Sequence, residues 1–143
     1  PQFADGRVTK TYLARIHGQP APDDFESTAP ISREPAATGR RRIDPEGLPA
    51  HTRFQVRERF NDGTALVTAS PLTGRTHQIR LHLWAAGHAI VGDPLYLPDQ
   101  NVGSQQTLAP ADPPMCLHAA VLEFTHPVTG EARRHESSCP WWP

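Results

Sequence analysis

Thr73-Gly74-Arg75-Thr76-His77-Gln78-Ile79-Arg80-Leu81-His82-Leu83 sets five side chains that can carry charge or donate hydrogen bonds directly behind a glycine, and then turns apolar. It is the one stretch that reads as chemistry. Arg75 falls in the loop leading into a helix, where outward-pointing backbone N–H groups make a natural meeting place for phosphate. Arg80 follows five residues later, about 500 degrees around a helix, so the two guanidiniums point apart and have different jobs. Bordered by Ile79 and Leu81, Arg80 is expected to be partly buried. A buried guanidinium left unpaired costs several kcal/mol and so needs a fixed acidic partner. None of the 15 acidic residues is an obvious one: Asp93 in Gly92-Asp93-Pro94 reads as a turn former, Glu58 lies within a hairpin, and the rest sit in loops or edges. The expected partner therefore lies outside these residues.

The elements that must position this stretch are legible from periodicity. Ile79, Leu83 and Ala86, flanked by Leu81 and Trp84, predict a helix from His77 to Ala86 closed by Gly87. Val8 to His17 alternates, with Tyr12, Ala14 and Ile16 on one face, as a strand that Gly18 ends. Thr52, Phe54, Val56, Glu58 and Phe60 alternate with arginines and Gln55, and Asn61-Asp62-Gly63 turns this strand back into Thr64 to Ser70. Leu117 to Thr125 and the charged edge Glu131 to Glu136 form a second hairpin. The fold class is α+β: a largely antiparallel sheet with a packed helix, in a strand order that sequence alone leaves open.

The 143 residues amount to one domain or a piece of one. With 14 basic and 15 acidic residues the formal charge is −1, so a polyanion must be held by local patches rather than by the overall field. All the basic residues but Lys10 are arginine, which suits bidentate recognition of phosphate or carboxylate, or reflects codon bias. Residues 18 to about 50 and 97 to 114 are rich in proline and poor in large apolar side chains. They are expected to be irregular surface loops, the first with one short strand near Ile31. The first also carries Arg40-Arg41-Arg42, a phosphate contact or simply a solvated run. Cys116 and Cys139 lack metal-type spacing, His77 and His82 fall on different helix faces, and no apolar run is long enough to span a membrane. A cytoplasmic setting is the default expectation. The first residue is Pro1, and the opening suggests a chain cut from something longer.

TGRTHQIRLHL followed by GHAIVGDPLY resembles the signature of the RluA-type RNA pseudouridine synthases. Lys10-Thr11-Tyr12-Leu13-Ala14 resembles the family's K-x-Y-x-A strand, and Leu117-His118-Ala119 with Leu122, Phe124, His126 and Pro127 resembles its late strand. The resemblance covers nearly the whole chain. It implies part of the pseudouridine synthase catalytic fold, the C-terminal portion of a single catalytic domain. It implies a reaction that breaks the base–sugar bond of a uridine in ribosomal or transfer RNA, turns the base over and rejoins it through carbon. No metal and no organic cofactor take part, and the target nucleotide is flipped from its stack.

Residue by residue, the resemblance implies that Arg80 pairs with the family's catalytic aspartate and that Tyr12 lines the pocket and stacks on the base, unless it is an ordinary inward aromatic. Leu117, or Leu122 in its place, closes an apolar wall. Arg75, His77 and Gln78 contact RNA or brace the loop. The aspartate belongs to an H-R-L-D segment, which does not occur here and in the family precedes the K-x-Y-x-A strand. The isolated chain is therefore expected to be inactive, its missing N-terminal half supplied in cis or in trans, with self-association through the uncovered surface as a further expectation. The alternative is a catalytically dead RNA-binding remnant or interaction module.

Overall fold

The structure, a computed structural model, describes residue 2 and residues 8–140. Most of the opening segment, whose sequence suggests a cut chain, lies outside the described residues. Six strands form one fully antiparallel sheet: β1 (Thr9–His17), β2 (Asp24–Ser27), β3 (Thr52–Arg59), β4 (Thr64–Pro71), β5 (Leu117–Thr125) and β6 (Ala132–Glu136). Their order is β2-β3-β4-β1-β5-β6. The first strand is thus central, with Tyr12 opposite Ala69 on one side and Ala119 on the other.

One short helix, α1 (Gln78–Ala85), lies against this sheet. Its Ile79 and Leu83 join Ala14, Ile16, Phe54, Val67, Ala69 and Ile90 in the main core, which is the apolar face expected from the alternation of β1 and β3. The architecture is therefore mostly sheet with a single helix of eight residues, and less helical than the α+β layering that the sequence predicts. The helix ends where the glycine requires. Gly87, at φ 85°, donates its N–H to the Trp84 carbonyl and His88 donates to the Leu83 carbonyl, the paired bonds of a Schellman cap.

Two expectations need correction. The stretch from 18 to 50 is not merely a surface loop. It contributes β2, whose Phe25 stacks on Phe54 at 4.9 Å, and it buries Ile31 in a second core with Ala50, Leu81, Leu95 and Tyr96. Of the large apolar side chains in this stretch Ile31 is fully buried, which stabilises by about 1.5–3 kcal/mol, while Phe25, Ile43 and Leu48 are half-buried. In β3 the expected alternation fails beyond Val56, because the pairing with β4 shifts between Val56 and Glu58. Arg57 is the extra residue of that bulge, and Glu58, assigned by period to the inner face, is exposed.

The chain leaving α1 meets a tight constraint at Gly92. A Cβ there would sit 2.4 Å from the Pro114 carbonyl oxygen, and its φ is 79°, whereas a Cβ at Gly87 meets nothing within 4 Å. Gly87→Ala should therefore cost only the left-handed strain of about 1–2 kcal/mol. Gly92→Ala should cost clearly more, because strain and steric clash add. Urea denaturation of the two variants side by side checks the ranking.

Candidate active-site cleft

A cleft of about 230 Å³ opens between the central strands and the N-terminal end of α1. Its walls are Lys10 and Tyr12 of β1, Leu117 at the start of β5, Pro71 at the end of β4, Thr73, Gly74, Arg75 and His77 of the loop that follows, and Gln78, Ile79 and Arg80 of the helix. Each site residue read from the sequence lines this one space. Lys10 and Tyr12 arrive together because residues two apart in a strand share a face. Leu122, the competitor of Leu117, lines a neighbouring depression over β5 and β6 instead.

The expectation that Arg80 finds no partner among these residues is overturned. Its Nε and Nη2 each donate to the Asp93 carboxylate at 2.7 Å, a bidentate pair in which the Arg80 side chain is 11% exposed and that of Asp93 fully buried. Asp93 is a turn former as well: its Oδ1 accepts the Leu95 and Tyr96 N–H groups at 2.9 and 3.0 Å. One carboxylate thus serves both purposes, which a sequence reading that assigns each residue a single job misses. Two of the five N–H groups of the guanidinium are used on Asp93, and its Cζ lies 5.0 Å from the centre of the Tyr96 ring.

The turn that Asp93 holds sets the next shell. The Tyr96 hydroxyl meets His77 Nδ1 at 3.0 Å and accepts the Arg41 N–H at 2.9 Å. Burial raises the Tyr96 phenol above its ordinary value, so the hydroxyl keeps its proton. Burial, reinforced by the Arg80 charge, lowers the pKa of His77. The single hydrogen of the Tyr96 hydroxyl has two acceptors in reach, Nδ1 of a neutral His77 at 3.0 Å and the Arg41 carbonyl at 3.3 Å. His77 itself sits at φ 58° and occupies the N-cap position without a side-chain capping bond, so its imidazole remains beside the cleft.

Gln78 takes the bracing role. Its Oε1 accepts from Thr73 Oγ1 and from the Arg75 N–H, at 2.8 and 2.9 Å, and its Nε2 donates to the His51 carbonyl and to Thr52 Oγ1. That buried amide thus ties the loop that walls the cleft, through Oε1, to the start of β3, through Nε2. The relay continues inward, for Thr52 Oγ1 meets His82 Nδ1 at 2.9 Å and His82 Nε2 meets the Ala29 carbonyl at 2.9 Å. A carbonyl only accepts, so Nε2 carries the hydrogen and Nδ1 accepts from Thr52. Arg75 anchors by Nε to the Pro49 carbonyl at 3.0 Å.

The sequence reading left Lys10 out of the site although its motif contained it; the available signal was its shared face with Tyr12. His82 and Asp93 also went unassigned, because their partners lie 30 and 13 residues away in sequence. Among the described residues, no group of three or more His, Cys, Asp or Glu is placed to hold a metal ion. No helix among them is long and apolar enough to cross a membrane.

Comparison with known proteins bears on this cleft. The family profile described as RNA pseudouridylate synthase matches residues 1–85. Ribosomal large subunit pseudouridine synthase C of Salmonella typhimurium and that of Escherichia coli K12 are each 42% identical over 139 residues, 95% of this chain. The chain spans 43% of the length of these relatives. Among solved structures, human RNA pseudouridylate synthase domain containing 1 superposes with a TM-score of 0.76 at 31% identity, covering 99% of this chain and 59% of that one. Human RNA pseudouridylate synthase domain containing 4 gives 0.75 at 25% identity, covering 98% and 61%.

Two stability measurements test the site's scaffold. Asp93→Ala leaves a nearly buried guanidinium unpaired and should destabilise by about 3–5 kcal/mol in urea titrations. Asp93→Asn, which retains an acceptor for the turn, should cost less. For His82, burial depresses the folded-state pKa below the unfolded value near 6.5. The unfolded chain therefore binds more protons below that value, and the stability contributed by neutral His82 is present above pH 6.5 and lost as pH falls. Unfolding midpoints should drop between pH 7.5 and 5.5, and drop less in His82→Gln.

Proposed function

The chain belongs to the RNA pseudouridylate synthase family, of the RluA type, and from that premise we propose that it builds the nucleotide-holding part of an enzyme isomerising a uridine in structured RNA to pseudouridine. The observation that carries this reading is the convergence of Tyr12, Arg75, His77, Gln78, Arg80 and Leu117 on one cleft. The names of the relatives favour large-subunit ribosomal RNA over transfer RNA as the substrate.

In this reading the flipped uracil enters between Tyr12 and Leu117. The tyrosine ring stacks on the base and the leucine excludes water from its far side. Lys10 and Arg75 hold the flanking backbone at the mouth. Asp93 locks the inner edge of Arg80, and the N–H groups that Asp93 does not use are offered to the catalytic aspartate that the family resemblance requires. Such a charge-assisted bond favours the ionised carboxylate and aims it at the nucleotide. Arg80 thus has two carboxylate partners in the working enzyme, one structural and one catalytic. The 143 residues contain no H-R-L-D run, so the aspartate is supplied by residues beyond them, in cis or in trans. No step calls for a metal or an organic cofactor.

The test uses transcribed large-subunit ribosomal RNA and reads pseudouridine as carbodiimide-dependent stops in reverse transcription. Protein carrying the aspartate segment should convert a uridine in the presence of EDTA, whereas the 143 residues alone should bind RNA without turnover. Arg80→Lys keeps the charge that Asp93 needs but loses the planar fork. It should lower kcat by roughly 100-fold or more, the scale of one lost catalytic donor, while RNA affinity stays nearly unchanged. Equal loss of affinity and turnover would refute the role given to Arg80.

A further inference from the structure

Beside the cleft stands a cationic surface that the reading above leaves unused. The segment bearing Arg40, Arg41 and Arg42 is held in place by hydrogen bonds at several points. Ser32 and Arg42 exchange backbone and side-chain bonds, Ile31 bridges Ile43, and the Ala36 N–H closes a turn on the Arg40 carbonyl. The Arg41 N–H is bound to the Tyr96 hydroxyl, which itself touches His77 in the cleft wall. The arginines therefore stand one tyrosine away from the cleft, and the charge of Arg41 is felt at His77 and that of Arg40 at Tyr96.

Arg42 is neutralised by Asp44 at 3.0 Å, but Arg40 and Arg41 have no acidic partner among the described residues. Arg41 spends Nη1 on the Ser32 and Arg33 carbonyls. The Nε atoms of both arginines are buried with no hydrogen-bond partner. A guanidinium partly stripped of water and left without an anion carries an uncompensated desolvation cost. A chain with more acidic than basic residues has the means to neutralise these two and does not, whereas it does neutralise Arg15, Arg59, Arg133 and Arg134.

We propose that Arg40 and Arg41 form a phosphate-binding rim that grips the RNA backbone flanking the nucleotide held in the cleft. The inference rests on the RNA reading above and adds to it a second contact surface, contributed by the 18–50 stretch. The grip is electrostatic and indifferent to base identity, so the rim sets affinity and register while the cleft selects the nucleotide.

The experiment measures binding of a fluorescein-labelled RNA hairpin with a uridine in its loop, by anisotropy from 50 to 200 mM KCl. Each phosphate contact contributes about 0.7–0.9 to the slope of log K against log salt, so Arg40→Gln/Arg41→Gln should lower the slope by about 1.4–1.8. Arg40→Lys/Arg41→Lys should restore most of it. Arg57→Gln, about 17 Å along β3 from the cleft end at Thr52, should leave it unchanged. An unchanged slope in the glutamine pair, or a lysine pair as deficient as the glutamine pair, overturns the rim while leaving the cleft reading intact. If the unsubstituted protein does not bind the hairpin at all, the RNA reading falls and the rim with it.

Discussion

The buried pair between Arg80 and Asp93 is the constraint on which the rest of the site depends. Two charges removed from water are stabilising only when their geometry is good and their remaining valences are filled. Here both oxygens of Asp93 are occupied, by two guanidinium nitrogens and two backbone N–H groups. The pair ties the helix to the turn after Ile90, and that turn carries Tyr96 into the second core beneath His77 and Arg41. Arg80, Asp93, Tyr96 and His77 thus form one connected hydrogen-bonded unit behind the cleft wall.

A second polar relay, from Thr73 through Gln78 and Thr52 to His82 and the Ala29 carbonyl, fixes the other wall. It involves no formal charge when His82 is neutral, and burial keeps it so. The two networks divide the labour by chemistry. The charged one sets the position of a guanidinium next to the cleft, and the neutral one holds the loop bearing Arg75 against the end of β3. The main core is thereby spared unsatisfied polar groups although the helix brings Gln, Arg and His into it.

Charge is sorted by location. Along the far end and edge of the sheet most arginines face acids, Arg15 with Asp62, Arg59 with Asp23, Arg134 with Glu123 and Glu136, while Arg57 bonds only the Gln55 amide among the described residues. Around the cleft, Arg40, Arg41 and Arg75 face none among the described residues. A nearly neutral molecule is left with a locally positive mouth, which is how a chain of formal charge −1 can serve a polyanion.

Local patterning determined much of this on its own. The two-residue period of β1, of β3 as far as Val56 and of β5, and the glycine that closes α1, are short-range signals, and each led to the right element. Period also put Tyr12 and Leu117 within reach of one site only because the family motif was recognisable; the antiparallel pairing of β1 with β5 is what brings them to the same cleft. Tertiary structure alone decided the strand order, the bulge at Arg57, the insertion of Ile31 under the helix and the choice of Asp93 as partner to Arg80. These depend on contacts between residues far apart in the chain, whose energies come from burial and from satisfying charges in three dimensions. A residue such as Asp93, already given a local task by its turn, shows its second task only when the helix packs over it.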